Sequence, residues 1–183
     1  MITTQALLDP TPPAADRHRV DAVFKMAEEM IGFVPAGMRL YGISPTLLEL
    51  FAGTVGYFRG ETELSGKLTA SIRYLVSERI DCKFCIDLNE TFLAGMGVDL
   101  DSVRAMRGDI TKAPVAAEEL PLLKLAVAAV EQPDADKSEL IEQAREAGWS
   151  DRAIFDAVLQ AASNRAFNLV LKTFNVETQE AFV

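Results

Sequence analysis

Cys82 and Cys85 are the only cysteines of the chain, and they stand three positions apart in RIDCKFCIDLNE. A pair at this spacing reads as redox or metal chemistry. Its bland alternative is two small apolar residues on one helix face, because free cysteine is among the most buried residue types. Near a helix start, unsatisfied N–H groups and the positive end of the helix dipole stabilise a thiolate, and side chains at i and i+3 share a side. The pair is then expected to close as a disulfide, with one thiolate attacking a peroxide or a foreign disulfide and the other sulfur resolving the product.

The neighbours pull in both directions. Glu78, Asp81 and Asp87 would raise a thiol pKa, whereas Arg79, Lys83 and the helix terminus would lower it. Glu78, four residues ahead of Cys82, is a candidate proton acceptor if the joint folds it inward, and otherwise a solvated charge at a helix end. Asn89, four residues after Cys85, can bring its amide to the cysteine face and donate to a sulfur or a substrate oxygen, or can be an ordinary polar residue at the helix edge. Zinc would need four ligands, and two cysteines with one remote histidine, His18, supply too few unless subunits or carboxylates complete the set. No metal and no cofactor are expected.

Helices must position these residues. AADRHRVDAVFKMAEEMIG sets Val20, Val23, Phe24, Ala27, Met30 and Ile31 at helical spacing up to Gly32. Ser44 and Pro45 predict the cap and first residue of a second helix. LSGKLTASIRYLVSERI, capped by Ser65, is expected to end just before Asp81, and Asp81 to cap the next helix, CKFCIDLNETFLAG, which stops at the Gly95 and Gly97 turn. DLDSVRAMRG reads as a short helix, VAAEELPLLKLAVAAVEQ as a long apolar one despite Pro121, and SELIEQAREAG as an amphipathic one closed by Gly148. Ser150 then caps DRAIFDAVLQAASNRAFNLVLKTF. No segment shows strand alternation between turn signals, so the chain is expected to be all-α. AGMGVDLDSV and EAGWSDRAI repeat one order of Gly, apolar residue, capping residue and aliphatic residue, either as duplicated hairpins or as two joints with the same cap chemistry.

With 183 residues, 49% of them hydrophobic and 25% charged, one compact domain is the expectation. Its boundaries are 1–183, with a helical extension at 1–32 and a core from about 33 to 174. A net charge of −9 argues against nucleic acid and anionic lipid as partners. MITTQALLDPTPP lacks a basic region followed by an apolar run, and no later stretch is long and apolar enough to span a bilayer, so a cytoplasmic location is expected.

The all-α pattern, LSGKLTASIRYLVSERI, then C-K-F-C and a helix ending A-G-M-G-V, resembles the alkylhydroperoxidase D-like branch of the carboxymuconolactone decarboxylase superfamily, from about Phe33 to Phe174; SNRAFNL is similar to that family's closing helix. The resemblance implies a compact helical subunit in a homo-oligomer, a peroxiredoxin-like antioxidant enzyme whose C-x-x-C dithiol reduces peroxides or small disulfides and is re-reduced by a lipoyl or thioredoxin-like dithiol. It puts the redox cysteines on Cys82 and Cys85. It also implies a glutamate twelve positions before the first cysteine and a histidine four after the second, where this chain has Ala70 and Asn89. His18, far away on an amphipathic helix, reads as a surface residue. Thiol exchange survives these replacements best, since it needs only a thiolate, a partner and access. The rival reading is a helical oligomer that kept the fold, lost the chemistry and binds a small ligand or a protein.

Overall fold

The computed structural model describes residues 7–176, and all its regular elements among them are helical. They fall into two compact units, Met1–Glu61 with Leu171–Val183, and Thr62–Val170.

In the first unit, α1 (Arg17–Ile31), α2 (Ala36–Tyr41) and α3 (Pro45–Gly60) enclose one core of Val20, Val23, Ala27, Val34, Met38 and Leu48, flanked by Phe24, Tyr41, Phe51 and Ala52. The apolar periodicity of α1 buries Val20, Val23 and Ala27 and half-buries Phe24 and Ile31, whereas Met30 at its end is exposed, and α1 ends at Gly32 with φ 84°. The short α2 was not foreseen; its six residues bury Gly37, Met38 and Leu40. Gly42 follows because a Cβ there would meet the Arg39 carbonyl oxygen at 2.9 Å and Phe24 Cζ at 3.1 Å. Ser44 is the N-cap of α3, but its side chain makes no cap bond, so Pro45 and backbone geometry carry that start.

The second unit is built around α4 (Gly66–Arg79), capped as expected by Ser65 Oγ, which accepts from the Leu68 N–H at 3.0 Å. Leu68, Ala70, Ile72, Tyr74, Leu75 and Val76 are all fully buried, so α4 is enclosed rather than lying on a surface. Around it come α5 (Lys83–Gly95), α6 (Leu100–Ala105), α7 (Leu120–Glu131), α8 (Ser138–Glu146) and α9 (Asp151–Thr173), the last contributing residues up to Val170. Pro121 does not interrupt a long helix: a short 3-10 turn at Ala117–Glu119 precedes α7, and the proline stands in its first turn.

The two similar joints recognised in the sequence are the same motif. Gly97 (φ 77°) and Gly148 (φ 93°) adopt the left-handed conformation; Val98 N–H bonds the Leu93 carbonyl and Trp149 N–H the Ala144 carbonyl, both at 3.1 Å. Asp99 and Ser150 then cap the following helices. This is the Schellman ending coupled directly to an N-cap.

Candidate functional site, a dithiol at a helix joint

The joint between α4 and α5 uses that motif a third time, with a different residue at its centre. Asp81, with φ 52°, takes the left-handed place that Gly97 and Gly148 fill elsewhere. Its N–H donates to the Glu78 carbonyl at 3.1 Å, and the next N–H, that of Cys82, donates to the Ser77 carbonyl at 3.1 Å. Asp81 does not cap α5. Cys82 itself is the N-cap, with extended backbone, and its carbonyl accepts from the Ile86 N–H at 2.9 Å. One residue therefore closes α4 with its N–H and opens α5 with its C=O, which fixes the origin of its side chain from both directions.

Cys85 follows in the first turn of α5, and the two sulfurs lie 2.9 Å apart, with Cys82 Sγ donating to Cys85 Sγ. Both cysteines are unoxidised thiols, each only 2% exposed. The hydrogen bond with Cys82, then burial, then the charge on the Cys82 sulfur push the Cys85 thiol far above the usual cysteine range. Two thiols this close titrate as a pair, and Cys85 holds the last proton.

Asn89 is buried on the cysteine side of α5, but its amide is turned to the backbone: Nδ2 donates to the Cys85 carbonyl at 2.7 Å, and Oδ1 accepts from Arg73 Nε at 2.9 Å. Glu78 is turned to an ion pair with Arg107 Nη2 at 2.8 Å. Burial raises its carboxyl above the ordinary glutamate value, with Arg107 and then Lys83 opposing. Ala70, where the family resemblance asks for a glutamate, is fully buried on α4. Lys83 pairs with Asp81 at 2.8 Å in the open.

Beneath the dithiol lie residues that the spacing of the cysteines did not reveal. Ser77, fully buried, donates from Oγ to the Arg73 carbonyl at 2.6 Å and accepts from Asn164 Nδ2 at 3.1 Å and Asn168 Nδ2 at 2.9 Å. It ties the last turn of α4 to a buried polar stripe of α9, Asp156, Gln160, Asn164 and Asn168, spaced by four residues. Beside it, Glu90 accepts from Arg104 Nη2 at 3.0 Å, Arg107 Nη2 at 2.8 Å and Tyr74 Oη at 3.2 Å, while Arg107 Nε also donates to Tyr74 Oη. Burial pushes the Glu90 carboxyl up, but Arg104, Tyr74 and Arg107 outweigh it and hold it below the ordinary value. Tyr74 is pushed up to about 12, chiefly by burial.

Arg73 differs from these arginines. Its contacts are the Asn89 bond and the ring of Phe92, 5.9 Å from its Cζ, and among the described residues no carboxylate lies within ion-pair distance of it. Burial lowers its guanidinium to about 10. A charge inside LTASIRYLV, an otherwise enclosed segment, was the signal available in the sequence. Among the described residues, no group of three or more His, Cys, Asp or Glu is arranged to hold a metal ion, and no helix is long and apolar enough to cross a membrane.

No protein-family model and no curated protein matches the sequence. Solved structures do match the fold. An uncharacterized peroxidase-related protein from Silicibacter sp. TM1040 superposes with a TM-score of 0.85 at 20% identity, covering 100% of this chain and 97% of that one. A second, described as an alkylhydroperoxidase AhpD core from Ralstonia eutropha JMP134, gives 0.84 at 16% identity over 97% of this chain and 94% of that one. The debrominase Bmp8, in a cysteine-to-alanine variant complexed with 2,3,4-tribromopyrrole, gives 0.76 at 19% identity over 100% and 95%. Across essentially its whole length, then, the chain has the all-α fold of the alkylhydroperoxidase D-like proteins.

Proposed function

We propose that the protein is a thiol-dependent oxidoreductase in which Cys82 and Cys85 cycle between dithiol and disulfide. The observation that carries this reading is the approach of the two sulfurs to 2.9 Å at a joint that fixes both. The Cys82 thiolate attacks the terminal oxygen of a peroxide. The O–O bond breaks, the sulfur becomes a sulfenic acid, and the departing oxyanion takes a proton from water. Cys85, which keeps its proton until then, attacks the sulfenic sulfur; an S–S bond forms and water leaves. An external dithiol, lipoyl or thioredoxin-like in chemistry, returns the pair to its reduced state.

The neighbourhood supports thiol exchange better than a full acid–base relay. Asn89 carries no exchangeable acid proton, Ala70 has no acid group, and Glu78 is engaged by Arg107. The likeness to a debrominase supports a second use of the same dithiol, in which a thiolate takes bromine from carbon, a proton replaces it, and the second thiol expels bromide as the disulfide forms. Homo-oligomeric assembly is part of the proposal, supported by exposed Phe155, Leu159 and Leu169 along one stretch of α9.

The test is direct. One equivalent of hydrogen peroxide should remove both titratable thiols and two hydrogens from the intact mass, and a dithiol should restore them. Cys82→Ser and Cys85→Ser should each abolish turnover, with a sulfenic acid trapped only in the chain that retains Cys82. Unreactive thiols, or turnover indifferent to both substitutions, would leave the rival, a ligand-binding helical oligomer, which the 2% exposure of each cysteine favours.

A further inference from the structure

Three arginines lie in this part of the second unit, and they are not equivalent. Arg104 and Arg107 are neutralised by Glu90 and Glu78. Among the described residues, Arg73 has only the neutral amide oxygen of Asn89 and the face of Phe92. With Nε occupied by Asn89, the Nη1 and Nη2 end of its planar fork remains, a geometry that matches the two oxygens of a carboxylate. The same Asn89 bonds the Cys85 carbonyl, so this cation is tied by two successive hydrogen bonds, of 2.9 and 2.7 Å, to a residue of the dithiol.

Hydroxide or alkoxide is a poor leaving group without a proton donor, its conjugate acid having a pKa of roughly 16, as for water. A carboxylate, with a conjugate acid near about 4, leaves without one. The site has no proton donor at Ala70 or Asn89, and among the described residues it has a cation with no anion.

We infer that Arg73 is the seat of a substrate carboxylate and that the oxidant suited to this dithiol is a small peroxycarboxylic acid. This rests on the dithiol reading above. The Cys82 thiolate takes the terminal OH of the peroxy acid and becomes a sulfenic acid. The O–O electron pair leaves on the carboxylate, which pairs with Arg73. Cys85 then closes the disulfide and releases water. One guanidinium with one engaged nitrogen suits a monoanion, and the net charge of −9 disfavours polyanions.

The binding arm of the test uses the Cys82→Ser/Cys85→Ser chain, in which no redox step is possible. Acetate should shift the Arg73 Nε–H resonance saturably. Arg73→Met should weaken acetate binding, read from other shifted amides, at least tenfold, and Asn89→Asp, which supplies an internal counter-charge at almost unchanged volume, should do the same if Arg73→Met fails to fold. The kinetic arm compares peracetic acid with hydrogen peroxide on the reduced protein and on a free dithiol. The protein's preference for the peroxy acid should exceed the free dithiol's at least tenfold, and Arg73→Met or Asn89→Asp should reduce it to the free-dithiol value. Acetate binding that is absent or indifferent to both substitutions overturns the inference while leaving peroxide turnover, and hence the dithiol reading, standing. Acetate bound at Arg73 on a protein whose thiols ignore both oxidants overturns the dithiol reading and the peroxy-acid assignment with it.

Discussion

At the scale of the residue, the local chemistry follows from what each side chain is bonded to rather than from its type. Asn89 illustrates this. Helical spacing correctly places it one turn beyond Cys85, but with Arg73 on its oxygen its NH2 group turns to the Cys85 carbonyl, and no rule of spacing discloses that partner. Glu78 was nameable for the same reason, and its engagement by Arg107 was hidden because the two are far apart in sequence. Ser77 was invisible as a site residue, being one small polar side chain on an apolar helix. Its hydroxyl is nevertheless the shared acceptor of Asn164 and Asn168. In Ser77→Ala, Asn164 Nδ2 keeps its bond to the Arg73 carbonyl at 3.0 Å, whereas Asn168 Nδ2 loses its partner in a fully buried place. Chemical denaturation should show a loss of about 2 kcal/mol, the cost of one orphaned donor.

The elements themselves were legible because their signals are local. Gly32, Ser65, Asp99, Gly148 and Ser150 end or begin helices where their conformational freedom or side-chain oxygens predict. The α4–α5 joint lies one residue beyond where the sequence predicts it because Asp81 has two plausible uses, capping the next helix or ending the previous one in a left-handed turn, and it takes the second. Asp tolerates that conformation better than most residues, and a β-branched residue does not. Asp81→Val should therefore cost about 1–2 kcal/mol, whereas Asp81→Gly, which reproduces the Gly97 and Gly148 joints, should keep at least wild-type stability. Thermal unfolding of the two variants checks this, and equal losses would remove the left-handed turn as the cause. α2 escaped sequence reading because six residues between Pro35 and Gly42 carry too little periodicity to register.

For the molecule as a whole, the sequence conveyed an all-α fold through caps and apolar periods, but not which charges would be buried together. Glu90, Arg104, Arg107 and Tyr74 come from three helices and the turn after α6, and their joining makes stability depend on pH. The folded Glu90 pKa lies below its ordinary value of 4.5, so its contribution is fully present above that pH and is lost as pH falls through the folded value. Glu90→Gln should cost roughly 2 kcal/mol at pH 7, and the gap to wild type in urea denaturation should close below pH 4.5. A gap constant down to pH 3 would mean that Glu90 acts by shape alone. The proposed homo-oligomeric assembly makes a separate prediction: Phe155→Glu should lower the sedimenting mass without altering the far-ultraviolet dichroism, since Phe155 is 62% exposed in the single chain.

The near-complete enclosure of the two sulfurs has a kinetic corollary. In the proposed dithiol reaction an oxidant must wait for the protein to breathe before it meets a thiolate, so raising its concentration should speed oxidation only up to a plateau common to fast and slow oxidants alike. That ceiling would measure how often α5 loosens, making the reaction a clock for the motion of its own scaffold.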